Sequence, residues 1–211
     1  MEVKVNKITV GNWKENCYLI SCEDEAWIID PGEDAKAIIS SLNLNDYKLK
    51  GIINTHGHFD HIGAVAEIKE KYNIPFFIHS KDKRLVTQGN LYRRMVGDTK
   101  IYKTPLIDEY LDDLVFLKLK KHKILIHHTP GHTNGGVCFE IDGILFAGDM
   151  LLKNSVSLSN LPGANKELMI LSLKYLFEKF KGFIINPGHG NSFILDVDSI
   201  NKFQKNCREW E

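Results

Sequence analysis

Apolar and polar residues alternate over residues 3–10, which predicts a strand with one buried face. Two further strands are predicted over 16–22 and 26–30, joined by the polar turn Glu23-Asp24-Glu25. Trp27, Ile28 and Ile29 are bulky enough to be core residues, and Asp30-Pro31-Gly32 punctuates the strand end. A helix follows over 35–42, and 49–54 is apolar and β-branched enough for a buried strand. Ile62, Val65, Ile68 and Tyr72 have helical spacing, which predicts a helix over 62–72, and 74–79 is again strand-like. Residues 80–113 are less regular and predict short helices and a loop. The second half opens with strands over 114–119, 123–128, 136–141 and 144–147, the last two joined by Asp142-Gly143, a strong hairpin signal. A one-faced helix over 167–180 is marked by Leu168, Leu171, Leu173, Leu176, Phe177 and Phe180, then come a buried strand over 183–186 and a helix over 197–207. Strands alternating with helices predict a layered α/β protein.

Composition narrows this picture. A chain of 211 residues suits one domain, residues 1–211, and the segment at about 80–113 is expected to lie over it as a lid. Its hydrophobic fraction of 43% and charged fraction of 26% are ordinary for a globular protein. Lys+Arg and Asp+Glu both number 27, so the net charge is zero and neither nucleic acid nor membrane is expected as a partner. No basic-then-apolar leader and no membrane-length apolar run stands in the sequence, which points to the cytoplasm. Cys17, Cys22, Cys138 and Cys207 form no CxxC pair and are expected to be reduced thiols.

The chemistry concentrates in Thr55-His56-Gly57-His58-Phe59-Asp60-His61, on the predicted turn between strand and helix. Open α/β sheets present reactive groups there, beyond the carboxyl ends of strands. His56 and His58, two residues apart in an extended segment, project to one side and can grip one ion together. Asp60 and His61 fall where the chain turns into the helix, so they can face a second ion. Imidazole nitrogens and carboxylate oxygens suit zinc and other borderline divalent metals. Crowded without a cation, four such side chains would repel one another or carry a desolvation cost.

THGHFDH resembles the HxHxDH motif of the metallo-β-lactamase superfamily. Thr129-Pro130-Gly131-His132-Thr133, Phe146-Ala147-Gly148-Asp149-Met150 and Pro187-Gly188-His189-Gly190 resemble its later metal segments, in the family's order, and Asp30-Pro31-Gly32 resembles an early one. The wording is most similar to the glyoxalase II-like (hydroxyacylglutathione hydrolase-like) branch. The resemblance implies an αββα sandwich, two mixed sheets face to face with helices outside. It implies a first metal held by His56, His58 and His132, a second held by Asp60, His61 and His189, and Asp149 bridging them. Zinc is the first expectation for the two divalent ions, and iron or manganese also accept this donor set. Asp30 would be a hydrogen-bond partner behind the ligands, although as a residue it can also cap the helix that follows. His128, beside the third segment, would be another such partner. His79 and His122 are expected to be structural or surface residues.

The implied activity is metal-dependent hydrolysis by a metal-bridging hydroxide, with Asp60 orienting it, on a thioester such as S-D-lactoylglutathione or a related small acyl compound. Full-length enzymes of that branch carry a further helical domain that holds glutathione. Little more than twenty residues follow His189, and Ser157-Leu158-Ser159-Asn160-Leu161-Pro162-Gly163 departs from the branch's Arg- and Asp-containing run while keeping its Leu-Pro-Gly end. Tyr92, Arg93 and Arg94, in the lid segment, are the expected substrate contacts. The alternative activity is a mononuclear-iron persulfide dioxygenase, which needs two histidines and an aspartate on the same fold. A flavodiiron protein is disfavoured because His58 stands where that class has glutamate. A nuclease is disfavoured by the absence of a basic exosite.

Overall fold

A computed structural model describes residues 1–153, 155, 157 and 163–208, with side chains to residue 203. Lys4–Val10 (β1), Glu15–Cys22 (β2), Glu25–Ile29 (β3), Lys48–Ile53 (β4), Phe76–Ile78 (β5) and Glu109–Tyr110 (β6) form one sheet in sequence order. β1, β2 and β3 are antiparallel neighbours, and β3 to β6 run parallel. The second sheet is Phe116–Leu119 (β7), His122–His128 (β8), Val137–Ile141 (β9), Ile144–Gly148 (β10), Ile184–Pro187 (β11) and Phe193–Ile194 (β12), again in sequence order. Only β10 and β11 are parallel there. The helices are Ala35–Ser41 (α1), Phe59–Ile62 (α2), Val65–Tyr72 (α3), Lys83–Thr87 (α4), Gly89–Met95 (α5), Lys166–Lys179 (α6) and Val197–Arg208 (α7).

Three apolar layers explain the sandwich. Successive strand side chains face opposite sides. Along β2, Tyr18, Ile20 and Cys22 therefore enter the space between the sheets, with Trp27, Ile53, Phe139 and Phe146. Cys17 and Leu19 turn outward against Ile38, Val65 and Ile68 of α1 and α3. The second sheet repeats the arrangement, with Leu145 and Ala147 packed on Met169, Leu173 and Leu176 of α6. A strand covered on both faces can read as a continuous apolar run, as Cys17 to Ile20 in the middle of β2 does. This is the two-sheet αββα sandwich. Cys17, Cys22 and Cys138 are free and buried in it; the Cys207 side chain and residues 158–162 lie outside the described residues.

Three local departures have physical causes. The helix expected over 62–72 breaks after Ile62, because Ala64 N donates to Pro31 O and Gly63 abuts the Gly32 carbonyl where no Cβ fits. β6 forms within the irregular segment by pairing with β5. β12 is two residues long, below what periodicity can register. Asp142 and Gly143, at φ 47° and 82°, make the expected hairpin turn. No helix among the described residues is long and apolar enough to cross a membrane.

The sheets are also tied at one end. Tyr18 Oη donates to Pro187 O at 2.6 Å, Asn16 N donates to Gly188 O at 2.7 Å, and Val137 N donates to Thr55 O at 2.8 Å. Phe139 is fully buried between the sheets. Phe139→Ala is expected to lower unfolding free energy by about 3–5 kcal/mol through lost burial and the cavity left behind, measured by urea denaturation.

Candidate metal centre

The tied end of the sandwich carries the histidines. β4 ends at Ile53, and residues 54–58 lead into the one-turn helix α2, so His56 and His58 lie on the loop and Asp60 and His61 on the helix. His132 comes from the loop between β8 and β9. Asp149 follows β10 and His189 follows β11. All seven side chains converge. His56 Nε2 and His132 Nε2 stand 3.1 and 2.9 Å from His58 Nδ1. Zinc–nitrogen bonds of about 2.0–2.1 Å at a tetrahedral angle separate their nitrogens by about 3.3 Å, close to this spacing. Asp60 Oδ2 lies 3.8 Å from His61 Nε2 and 3.3 Å from His189 Nε2. The Asp149 carboxylate stands between the two groups: Oδ2 is 3.6 Å from His132 and 3.5 Å from His189, and Oδ1 is 3.7 Å from His61. Two glycines permit the approach. A Cβ on Gly188 would strike Asp149 and His61, and one on Gly148, at φ 49°, would strike Thr55.

The residues fit metal ions on the structure's own terms. His61 Nε2 and Asp149 Oδ1, which face the second group, are buried with no hydrogen-bond partner. Leaving such atoms unsatisfied costs roughly 1–3 kcal/mol each. Behind them, the other ring nitrogens are held. His61 Nδ1 faces Asp30 Oδ2 at 3.1 Å. Thr55 Oγ1 donates to Asp30 Oδ2 at 2.6 Å and so receives His56 Nδ1–H at 3.0 Å. His132 Nδ1 donates to Ser157 O at 2.7 Å and His189 Nδ1 to Trp13 O at 3.0 Å. These bonds fix the tautomers that leave Nε2 of His56, His61, His132 and His189 with a lone pair for a cation. Asp30, His56 and His61 also lie close together, but there Asp30 is already engaged by Thr55 and His61.

Electrostatics divide the cluster. Burial, reinforced by the neighbouring imidazoles, pushes the His56 and His58 pKa values well below the usual histidine value. Burial also acts to lower His61 and His189, but the carboxylates around them overcome it and raise both. Burial acts to raise Asp60, yet the imidazoles of His61 and His189 hold it well below the usual carboxylate range. Glu15, 3.8 Å behind His61 Nδ1 and with neither oxygen hydrogen-bonded, is pushed well above its ordinary value by desolvation.

Of the other expected site residues, Asp30 lies behind the ligands and the rest fall elsewhere. Asp30 accepts from Thr55 N, Thr55 Oγ1 and His61, and Asp34, not Asp30, precedes α1. His128 does not reach the other histidines of the centre; it stacks on His79 at 4.2 Å and contacts Asn134 O, bracing the loop that carries His132. None of Tyr92, Arg93 and Arg94 lines the cleft over the centre. Tyr92 is buried and donates to Gln88 Oε1. Arg93, 1% exposed, is committed to Glu33, Asp98 and Phe59 O, while Arg94 is exposed. Tertiary ion pairing, invisible in a run of cations, decides this.

Asp82 was not singled out by sequence. Fully buried, it accepts from Gly57 N, Thr133 Oγ1 and Gly135 N, so one carboxylate clamps the loop of His56 and His58 to the loop of His132. A lone aspartate in a cationic segment gives no hint of this. Thr55 stood inside the motif, but only the fold reveals its relay to Asp30.

The fold and this centre define a metallo-hydrolase architecture. The Metallo-beta-lactamase superfamily model matches residues 10–197, and the chain belongs to that superfamily. It is 31% identical over 200 residues to the hydroxyacylglutathione hydrolase GloC of Haemophilus influenzae, spanning 90% of this chain and 92% of that one. Such relatives place it with the glyoxalase II-like branch. Among solved structures it is similar to the BLEG-1 B3 metallo-beta-lactamase, with a TM-score of 0.82 and 29% identity over 91% of this chain and 94% of that one. It is similar also to TTHA1623, solved in a di-iron-bound form, with a TM-score of 0.80 and 30% identity over 90% and 94%.

Two outcomes are expected. Asp82→Asn removes one acceptor from the clamp and should weaken metal binding roughly 10–100-fold in chelator competition while leaving the circular dichroism spectrum unchanged. Ligands must shed protons to bind a cation, and His61 and His189 hold theirs to higher pH than His56 and His58. Metal content should therefore fall in two steps as the pH is lowered, the group of Asp60, His61 and His189 emptying above the ordinary histidine range and the group of His56, His58 and His132 below it. Elemental analysis after equilibration at each pH checks this.

Proposed function

We propose that this chain is a metal-dependent hydrolase of thioesters, S-D-lactoylglutathione or a related small acyl compound being the first substrate to test. The observation that carries the reading is the Asp149 carboxylate set between two groups of converging donors, with His61 Nε2 and Asp149 Oδ1 buried and unpartnered. His56, His58 and His132 would hold one divalent ion, Asp60, His61 and His189 a second, and Asp149 would touch both. Bound there, such a pair supplies a water acidified towards neutrality and Lewis acids for a carbonyl and its leaving atom.

The chain's own residues do the rest. Asp60 stays anionic and faces the cleft, so it can accept a hydrogen bond from the attacking water and set its direction. Asp30, Thr55, Ser157 and the Trp13 carbonyl hold the imidazoles in place before substrate arrives. The cleft itself is about 560 Å³, a size for a small molecule. A persulfide dioxygenase would need three of the seven donors; the other four converging on the same space support the two-ion hydrolase instead.

Purified protein loaded with zinc, iron or manganese should cleave S-D-lactoylglutathione, followed by loss of thioester absorbance. His58→Ala should lower kcat/KM by roughly a thousandfold or more and release metal. Oxygen consumption with a persulfide, in the absence of thioester cleavage, would overturn the assignment.

A further inference from the structure

The cleft over the metal centre has an ionic floor and apolar walls. Every ionisable side chain that lines it among the described residues belongs to the seven donors. Around them stand Trp13, Phe59, Met95, Val96 and Leu152. No lysine or arginine is among these lining residues. Residues 154–162, which follow that wall in the chain, contain no Lys, Arg or His, so they bring no cation wherever they lie. Lys14, Arg94 and Lys153, next in the chain to Trp13, Met95 and Leu152, are exposed and do not line the cleft, and Arg93 and Lys100 are engaged by Glu33, Arg93 by Asp98 as well.

Trp13, Met95 and Val96 are 42%, 67% and 40% exposed, which leaves large apolar surfaces in water at the mouth of the cleft. They are nevertheless held. The Trp13 ring meets Phe59 edge-on at 5.5 Å, and its carbonyl receives His189 Nδ1–H. α5 ends in a Schellman motif: Gly97 N donates to Arg94 O and Asp98 N to Arg93 O, with Gly97 at φ 83°. Arg93, locked to Glu33 and Asp98, fixes the helix end that displays Met95 and Val96. A wall ordered in advance loses little entropy when a ligand covers it. An anionic group pressed against it would lose hydration without gaining a cation.

We infer that the substrate carries an uncharged apolar group beside its scissile acyl bond, packed on Trp13, Met95 and Val96, so that the site selects apolar thioesters over those of anionic thiols. This selection rests on the hydrolase reading and narrows it: glutathione thioesters become the poorer members of the substrate class.

The test uses the metal-loaded full chain and two thioester series. Acetyl, butyryl, hexanoyl and phenylacetyl groups are placed on N-acetylcysteamine, a neutral thiol, and on glutathione. The expected kcat/KM rises about fourfold per added methylene, and for each acyl group the neutral thiol exceeds glutathione roughly tenfold. Trp13→Ala and Met95→Ala should reduce the rise to under about twofold per methylene at unchanged metal content. Met95→Arg should move the preference towards glutathione. Titration calorimetry with non-hydrolysable thioether analogues of both series gives the same ranking without turnover. A flat chain-length series, a slope untouched by both alanine variants, or a wild-type preference for glutathione overturns the inference while leaving hydrolysis intact. Failure to cleave any member of either series removes the hydrolase reading and the inference together.

Discussion

The arrangement depends on one buried carboxylate. Asp30, at the end of β3 and 1% exposed, accepts from Thr55 N, Thr55 Oγ1 and His61 Nδ1. Through Thr55 it orients His56, and directly it orients His61, so both donor groups take a bearing from the same residue. Its backbone sits at φ 48°, in the left-handed region that aspartate tolerates better than most residues. The carboxylate is therefore turned back across the neighbouring parallel strand, onto the loop that follows β4. A neutral side chain of similar size would still fill the space, but it would not match three donors.

The segment between β5 and β7 performs two tasks. One is internal: Asp82 clamps two ligand-bearing loops, and Arg93 binds α5 to Glu33 and to the Phe59 carbonyl. The other faces outward, where the last turn of α5 supplies part of the cleft wall. Arg93 also lies 5.0 Å from the Phe59 ring and 4.2 Å from the Tyr102 ring. A buried guanidinium surrounded by two carboxylates, a carbonyl and two rings is well compensated, which is what allows so large a cation to be buried.

Much of this was legible in sequence because two kinds of signal agree there. Alternation and helical spacing marked the long elements, and Asp142-Gly143 marked a turn whose backbone demands those residue types. The donors were legible because histidine and aspartate beside glycine at strand ends are rare without a chemical reason. The lid was not legible. Arg93 and Arg94 are neighbours of one type, yet one is buried in ion pairs and the other is exposed, a difference set by Glu33 far away in the chain. Asp82 was hidden for the same reason: its partners are Gly57, Thr133 and Gly135, and nothing local announces them. The short strands β6 and β12 exist only because a neighbour offers an edge.

The donors are spread along the chain from His56 to His189, and they come from both sheets. A polypeptide emerging during synthesis therefore holds only part of the centre until its last parallel strand, β11, has docked beside β10. Incomplete chains can already bring His56, His58 and His132 together, whereas the group of Asp60, His61 and His189 waits for that last docking. The order in which the sandwich closes thus sets the order in which its two donor groups are completed.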